Sequence, residues 1–351
     1  MSTLLIHPPF DGPPSGGHTY NRCIIEQAEH RGYPLQSVPL STNCFTSSNL
    51  GNISRTPDQL VIIDSLLAFS PEQLPNLPHT ARLGLLLHYL PSTNPQIDEK
   101  GRTASRRLEN RVIDSMQFII CTGKTMRELL QHRYPDKLIR LCEPGVSSVF
   151  KTTTIEKPSA KSGVEIQLIT VANYVPAKGY EFLLEILNNL QDRNWQWYWV
   201  GEDVTDPPHS ETLLSRVDHL GLAKRIFRPQ VPNQAALAKL MAKMDIFLSA
   251  SYFESYGMAM AEAVASGLAV ITTQVGEASR LIDHGRNGFL VPLGQCDVYT
   301  QHLAELIDAP ERLAAIKSKV RETRSRTWAQ SFDDFASTCR VAQELGAGQC
   351  L

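Results

Sequence analysis

Short apolar runs alternate along the chain with longer stretches whose apolar residues recur at helical spacing. Residues 60–64 and 82–88 are apolar runs of strand length, the pattern of strands covered on both faces in a parallel sheet, and 3–7, 117–121 and 137–142 read as strands beside them. A second series opens at 164–171 and continues at 196–200, 225–227, 246–248 and 269–272. The helical pattern predicts helices over 18–31, 101–116, 122–132, 212–220, 234–244 and 258–265, and a helical run over 297–345 interrupted near Pro310. Thr122 reads as the cap of its helix. Trp195, Trp197 and Trp199 share one face of their strand by period-two alternation and read as core, with base stacking as the alternative. The polar stretch 40–57 reads as an irregular surface excursion.

Two series of strands alternating with helices predict an α/β chain with two parallel sheets. A length of 351 residues, more than one hydrophobic core usually serves, agrees. Residues 151–163, rich in Lys, Thr, Ser and Pro, suit a solvated connection, so the boundary is drawn between domains 1–155 and 156–326.

Composition removes several function classes. Lys plus Arg of 34 against Asp plus Glu of 36 gives a net charge of −2, which argues against binding nucleic acid through a general basic field. Seven scattered cysteines lack C-x-x-C spacing and read as reduced thiols of a cytoplasmic protein. No stretch approaches the roughly 20 apolar residues that span a bilayer, so the expectation is a soluble or peripheral protein. Arg102, Arg106, Arg107 and Arg111 fall in one predicted helix. They read as a solvated face with Glu109 and Asp114 as partners; an anionic acceptor or membrane surface is the alternative.

The candidate chemistry concentrates in 249–292. A strand ending at Leu248 leads into the polar loop 249–254, a helix over 258–265 closed by Gly267, and a further strand. Such a unit carries its ligands at the strand C-termini, where Glu254 sits. Glu262 follows after seven intervening residues, a turn or so into the helix, so both carboxylates can point at one ligand. The backbone N–H groups of Ser255, Tyr256 and Gly257 at the helix N-terminus favour a phosphate. Carboxylates accept strong hydrogen bonds from sugar hydroxyls, which together describes a nucleotide-sugar site. Near the N-terminus, Gly16 and Gly17 lie in a Gly/Pro-rich turn after the first strand, where backbone without Cβ can approach a ligand; a plain tight turn is the alternative.

The Glu254–Glu262 spacing, with Gly257, the Glu262-Ala263 pair, Gly276 and Gly288, resembles the E-x7-E signature of retaining glycosyltransferases of family 4. The resemblance is strongest over 164–292, fair over 101–150 and weak over 41–78. It implies the GT-B architecture, two Rossmann-like domains facing across a cleft, with residues 327–351 forming a final helix that returns to the first domain. In that reading Glu254 stands near the donor sugar and Glu262 on the ribose, while Gly16 and Gly17 match a glycine-rich loop facing the donor. His88 matches a histidine facing the donor sugar, with a structural histidine as the alternative. The 170–179 stretch resembles the family's V-G-R…K-G loop. Lys178 is present, but Asn173 stands where arginine is usual and Ala172 where glycine is usual.

The implied activity is transfer of a sugar from a nucleoside diphosphate sugar to an acceptor hydroxyl, with Glu254, His88 and Lys178 as catalytic residues. Nucleotide-sugar contacts would come from Gly16, Gly17, Asn173, Lys178, Ser255, Tyr256, Gly257 and Glu262. No D-x-D pair or His/Cys cluster has metal-ligand spacing, so no cofactor is expected and Lys178 with helix N-termini would stand in for a cation. The expected partners are the donor and an acceptor, not nucleic acid, with peripheral membrane contact left open. A catalytically silent nucleotide-sugar binding protein, motivated by Asn173, Glu277 and Arg280, and a nucleotide-sugar epimerase or phosphorylase are the alternatives.

Overall fold

The computed structural model describes residues 3–11, 15–44, 59–69, 82–152 and 165–347, with the backbone alone at 152 and 345–347. Most of the polar 40–57 stretch, all but the first two residues of the 151–163 connection, and Cys350 lie outside these residues. The chain divides into two compact units, Met1–Gly145 with Arg326–Leu351, and Val146–Ser325.

The first unit is built on six parallel strands, β1 (Thr3–His7), β2 (Leu35–Pro39), β3 (Leu60–Asp64), β4 (Arg82–Leu87), β5 (Phe118–Cys121) and β6 (Leu138–Leu141), in the order β2-β1-β3-β4-β5-β6. β1, β3 and β5 are buried throughout because helices cover both faces. β2 escapes sequence reading for a physical reason: LQSVP is a half-exposed edge strand and carries no continuous apolar run. The 20-residue helix Trp328–Ala347 packs on the helix Gly16–His30. The loop after β6 passes close to the start of that last helix: a Cβ at Gly145 would stand 2.2 Å from the backbone nitrogen of Trp328.

The second unit repeats the plan with β7 (Ile166–Val171), β8 (Trp195–Val200), β9 (Ile226–Phe227), β10 (Ile246–Ser249), β11 (Ala269–Thr273) and β12 (Gly288–Val291), ordered β12-β11-β10-β7-β8-β9 and all parallel. Trp195, Trp197 and Trp199 are buried in its core, as their alternation predicts. The Trp197 indole N–H donates to Thr170 Oγ1 at 3.0 Å and that of Trp195 to the Leu190 carbonyl at 2.8 Å, so two of the three polar edges are satisfied inside the core.

Several local expectations change. The first helix runs Gly16–His30, so Gly16 and Gly17 form its first turn instead of a preceding loop, with Ser15 Oγ accepting from the His18 N–H at 3.2 Å. Thr122 is not a cap. Gly123 holds the N-cap position of Lys124–Arg133, while the Thr122 hydroxyl and N–H both donate to the Leu87 carbonyl. The helix over 212–220 in fact spans Pro207–His219: prolines fit the first turn, whose N–H groups need no helical acceptor, and Asp206 caps it. The C-terminal helical run breaks twice, at Ala309 and again between Glu322 and Trp328.

Glu109 is also corrected. It turns inward from the helix Glu99–Ser115 and accepts from the N–H and hydroxyl of Ser92, each at 2.6 Å, so it is no partner for the exposed arginines of that helix. Among the described residues no helix is long and apolar enough to cross a membrane.

Candidate active site

In the second unit the strand order reverses at β7: β8 and β9 follow on one side, and the chain then crosses to β10 on the other. The loops leaving β7 and β10 therefore diverge from adjacent strand C-termini, the place where open α/β sheets take ligands. Lys178 lies on the first loop and Glu254 on the second.

Three contacts lock the loops together. The Tyr252 N–H donates to the Ala177 carbonyl at 2.9 Å. Gly179, at φ +67°, comes so close to Ala250 that a Cβ would stand 2.1 Å from its carbonyl oxygen. Lys178 Nζ donates to Glu254 Oε1 at 2.6 Å, an ion pair whose side chains are 26% and 24% exposed and thus open to a ligand. The same carboxylate oxygen accepts from Ser251 Oγ at 3.0 Å, and the Ser251 carbonyl takes the Thr273 hydroxyl at 2.6 Å. Behind Glu254, Gly276 at φ +55° leaves no room for a side chain, with a Cβ reaching 2.5 Å from the Glu254 carbonyl oxygen.

The segment Ser255–Gly257 joins Glu254 to the helix Met258–Ala265. Gly257, at φ +89°, occupies the N-cap position and offers no side chain, so the first helical N–H groups have neither an intrahelical acceptor nor a side-chain cap. Glu262, on the second turn, is buried; its carboxyl group makes no hydrogen bond among the described residues. Burial alone pushes its pKa from 4.5 up to about 8. Asn173 is half-buried, and its Oδ1 accepts from the Glu202 N–H at 3.2 Å, so the residue in the usual arginine position braces the loops after β7 and β8. Beside it, Arg228 lies over the Tyr174 ring at 5.1 Å and pairs with Asp203 at 3.0 Å.

In the first unit the order reverses at β1, and the C-termini of β3 and its neighbour β4 carry Asp64 and His88. His88 Nε2 lies 3.2 Å from Asp64 Oδ2, and the His88 N–H donates to Ser65 Oγ at 3.0 Å. Asp64 also accepts from the Asn21 amide and, at 2.7 Å, from the Leu66 N–H. Gly17 belongs to this group: a Cβ there would stand 3.2 Å from His88 Cδ2 and 2.8 Å from Leu66 Cδ1.

Of the sequence candidates, Lys178 and Glu254 are thus in contact, Gly17 and His88 are in contact, and Glu262 is buried on the helix after Glu254. Sequence reading missed Ser251, Asp64 and Asn21. Asp64 does leave a trace, as the one charged residue closing the apolar strand LVIID.

Residues 165–309 match the family described as glycosyl transferases group 1. Over that stretch the chain is similar to group 1 glycosyltransferases. The D-inositol 3-phosphate glycosyltransferase of Corynebacterium glutamicum is 26% identical over 67% of this chain and 59% of its own length. D-inositol 3-phosphate glycosyltransferase 2 of Catenulispora acidiphila is 31% identical over 42% of this chain and 36% of its own length. The matched stretch is therefore less than two thirds of the length of these relatives. Among solved structures, a sucrose-phosphate synthase of Thermosynechococcus elongatus superposes with a TM-score of 0.73 over 99% of this chain and 100% of that one, at 16% identity. The Anabaena protein HepE in complex with UDP and glucose gives 0.68 over 99% of both chains at 17% identity. At that identity the likeness shows the fold, which is GT-B with its two Rossmann-like domains.

The matched stretch contains Asn173, Lys178, Glu254, Ser255, Tyr256, Gly257 and Glu262, whereas Gly16, Gly17 and His88 precede it. Its loop geometry gives a direct test. Gly179→Ala forces an alanine to left-handed φ, worth roughly 1–2 kcal/mol, and drives its Cβ into the Ala250 carbonyl, which only backbone movement can relieve. The variant is expected to lose about 3 kcal/mol or more in urea unfolding. Wild-type stability would show that the two loops are not held this closely.

Proposed function

We propose that the protein is a retaining, metal-independent glycosyltransferase that moves a sugar from a nucleoside diphosphate sugar to an acceptor hydroxyl. The observation that carries the reading is the Lys178–Glu254 pair at the β7/β10 switch point, beside a helix N-terminus without a side-chain cap. Lys178 and the amides of Ser255–Gly257 would hold the diphosphate, in the role a cation fills elsewhere. Glu254 would then face positive charge growing on the anomeric carbon as the sugar–phosphate bond breaks. The leaving phosphate oxygen would take the proton of an acceptor arriving on the same face, which preserves the anomeric configuration. Glu262 would receive the ribose hydroxyls. Asn173, already engaged by Glu202, would add no charge to the phosphate site.

The Anabaena structures hold UDP, UDP with glucose, and UDP-glucose, which makes these the natural first probes. A thermal-shift panel of nucleoside diphosphates and their sugars should show a rise in Tm for one base and one sugar, since a ligand that binds only the folded state stabilises by mass action. With the donor so found, product formation should persist in excess EDTA, and proton NMR of the first-formed product should show the donor's anomeric configuration. Complete loss of transfer in EDTA restored by magnesium would overturn metal independence, an inverted product would overturn retention, and no response to any nucleotide sugar would overturn the reading as a whole.

A further inference from the structure

His88 meets the chain through one ring nitrogen. Nε2 faces Asp64 Oδ2 at 3.2 Å, while Nδ1 has no hydrogen-bond partner among the described residues. The ring is fixed on its other sides: the first turn of the Gly16–His30 helix passes at Gly17, and the Tyr20 ring meets the imidazole edge-on at 5.5 Å between centroids, its hydroxyl anchored on the Cys142 carbonyl at 3.0 Å. Asp64 is fully buried. Burial alone would raise its pKa, but the neighbouring His88, the Leu66 N–H and the Asn21 amide outweigh it and hold the carboxyl group below its ordinary value. Asp64 is therefore an acceptor only, and the imidazole nitrogen facing it must carry the proton.

We propose that Asp64 is a positioning residue, fixing His88 as the Nε2–H tautomer so that Nδ1 is presented as the hydrogen-bond acceptor for a sugar hydroxyl. The hydroxyl part rests on the glycosyltransferase reading above; the tautomer does not. A histidine locked this way accepts from a hydroxyl without reorienting, and it distinguishes a sugar carrying that hydroxyl from a deoxy analogue, because a site built to bond a hydroxyl rejects the analogue that lacks it. Asn21 fixes Asp64 in turn: its amide donates to the same carboxylate oxygen that faces His88.

Asp64→Asn inverts the arrangement with one atom exchanged. The asparagine oxygen keeps the Leu66 N–H and its NH₂ takes the place of the oxygen shared by His88 and Asn21; the Asn21 amide turns over to present its own oxygen, which has no hydrogen-bond partner among the described residues of the wild type, and Nε2 must become the acceptor. The ring would adopt the Nδ1–H tautomer and offer a donor where it offered a lone pair.

The test is nitrogen-15 NMR of the imidazole rings in the full-length, ligand-free protein, in buffer well above the ordinary histidine pKa of about 6.5. His88, assigned by its loss in His88→Gln, should show a protonated Nε2 and a bare Nδ1 in the wild type, and the reverse in Asp64→Asn. A wild-type ring protonated on Nδ1 would overturn the proposal, and that spectrum decides the point even where the variant fails to fold. In transfer assays, Asp64→Asn should lower kcat/KM about ten- to a hundredfold, with nucleoside diphosphate affinity unchanged. A switched tautomer with undiminished transfer would remove the hydroxyl contact from the proposal. Absence of transfer in the wild type itself would strike the glycosyltransferase reading and leave the tautomer result standing.

Discussion

Replacing Glu254 with glutamine is expected to lower turnover roughly 10²–10³-fold, the loss seen when one group aimed at transition-state charge is removed. The substitution is isosteric and keeps an oxygen to accept from Ser251 Oγ. What disappears is a negative charge paired with Lys178 at 2.6 Å. With about a quarter of each side chain exposed, the pair contributes within about 1 kcal/mol to folding, so Tm should move little. Ground-state binding should respond in the opposite sense to catalysis. Freed from its partner, Lys178 has its whole charge available to a diphosphate, and the free nucleoside diphosphate should bind as well as before or a few fold tighter. A carboxylate that acts as the sugar–phosphate bond breaks reduces kcat when lost; one that holds the ground state raises KM or Kd. Steady-state kinetics and calorimetry on the same preparation separate the two. Full turnover in Glu254→Gln would end the assigned role, and a large loss of diphosphate affinity would make Glu254 part of the binding site instead.

The repeating strand–helix plan is legible because both sheets are parallel and covered: LLIH, LVIID, LITV and AVITT are continuous apolar runs that can hardly be anything but buried strands. β2 is illegible for the converse reason, being a half-exposed edge. The site divides along the same line. Glu254 and Glu262 are readable because they interrupt an apolar stretch at a spacing that a loop and a helix translate into proximity. Lys178 is readable by its loop, but its contact with Glu254 is not. That contact depends on β7 and β10 being neighbours although three helices and two strands separate Lys178 from β10 in the chain, and pairing across a crossover leaves no periodic mark. Asp64, Asn21 and Glu109 show the same limit. A polar residue on an apolar element reads as exposed or incidental until its partner, 24, 43 or 17 positions away, is brought beside it.

Glu262→Gln should stabilise the unliganded protein at neutral pH and weaken nucleotide binding. The carboxyl group is buried with no hydrogen bond among the described residues, and its folded-state pKa is raised from 4.5 to about 8. A raised pKa means that between those values the folded chain holds a proton the unfolded chain has released, so stability falls as pH rises through that window. At pH 7 the penalty is on the order of 3 kcal/mol, at about 1.4 kcal/mol per pH unit. Glutamine has no such dependence. The variant's advantage in Tm should grow from near zero at about pH 4.5 to several degrees at pH 8, where it levels off. An equal Tm difference at every pH would mean that Glu262 ionises as freely folded as unfolded. The same protonation gives the nucleotide a signature. Ribose hydroxyls donating to Glu262 favour the ionised carboxylate, so binding at pH 7 must expel a proton from a group that is mostly protonated beforehand. Calorimetric titration with the nucleoside diphosphate in buffers of different ionisation enthalpy should show that release in the wild type. Protons contributed by the diphosphate itself remain in Glu262→Gln, and the difference between the two proteins isolates the carboxyl group. Equal proton release with equal affinity would place the ribose away from Glu262, whereas a difference approaching one proton, together with loss of affinity worth roughly 1.5–3 kcal/mol per charged hydrogen bond, would put the hydroxyls on it.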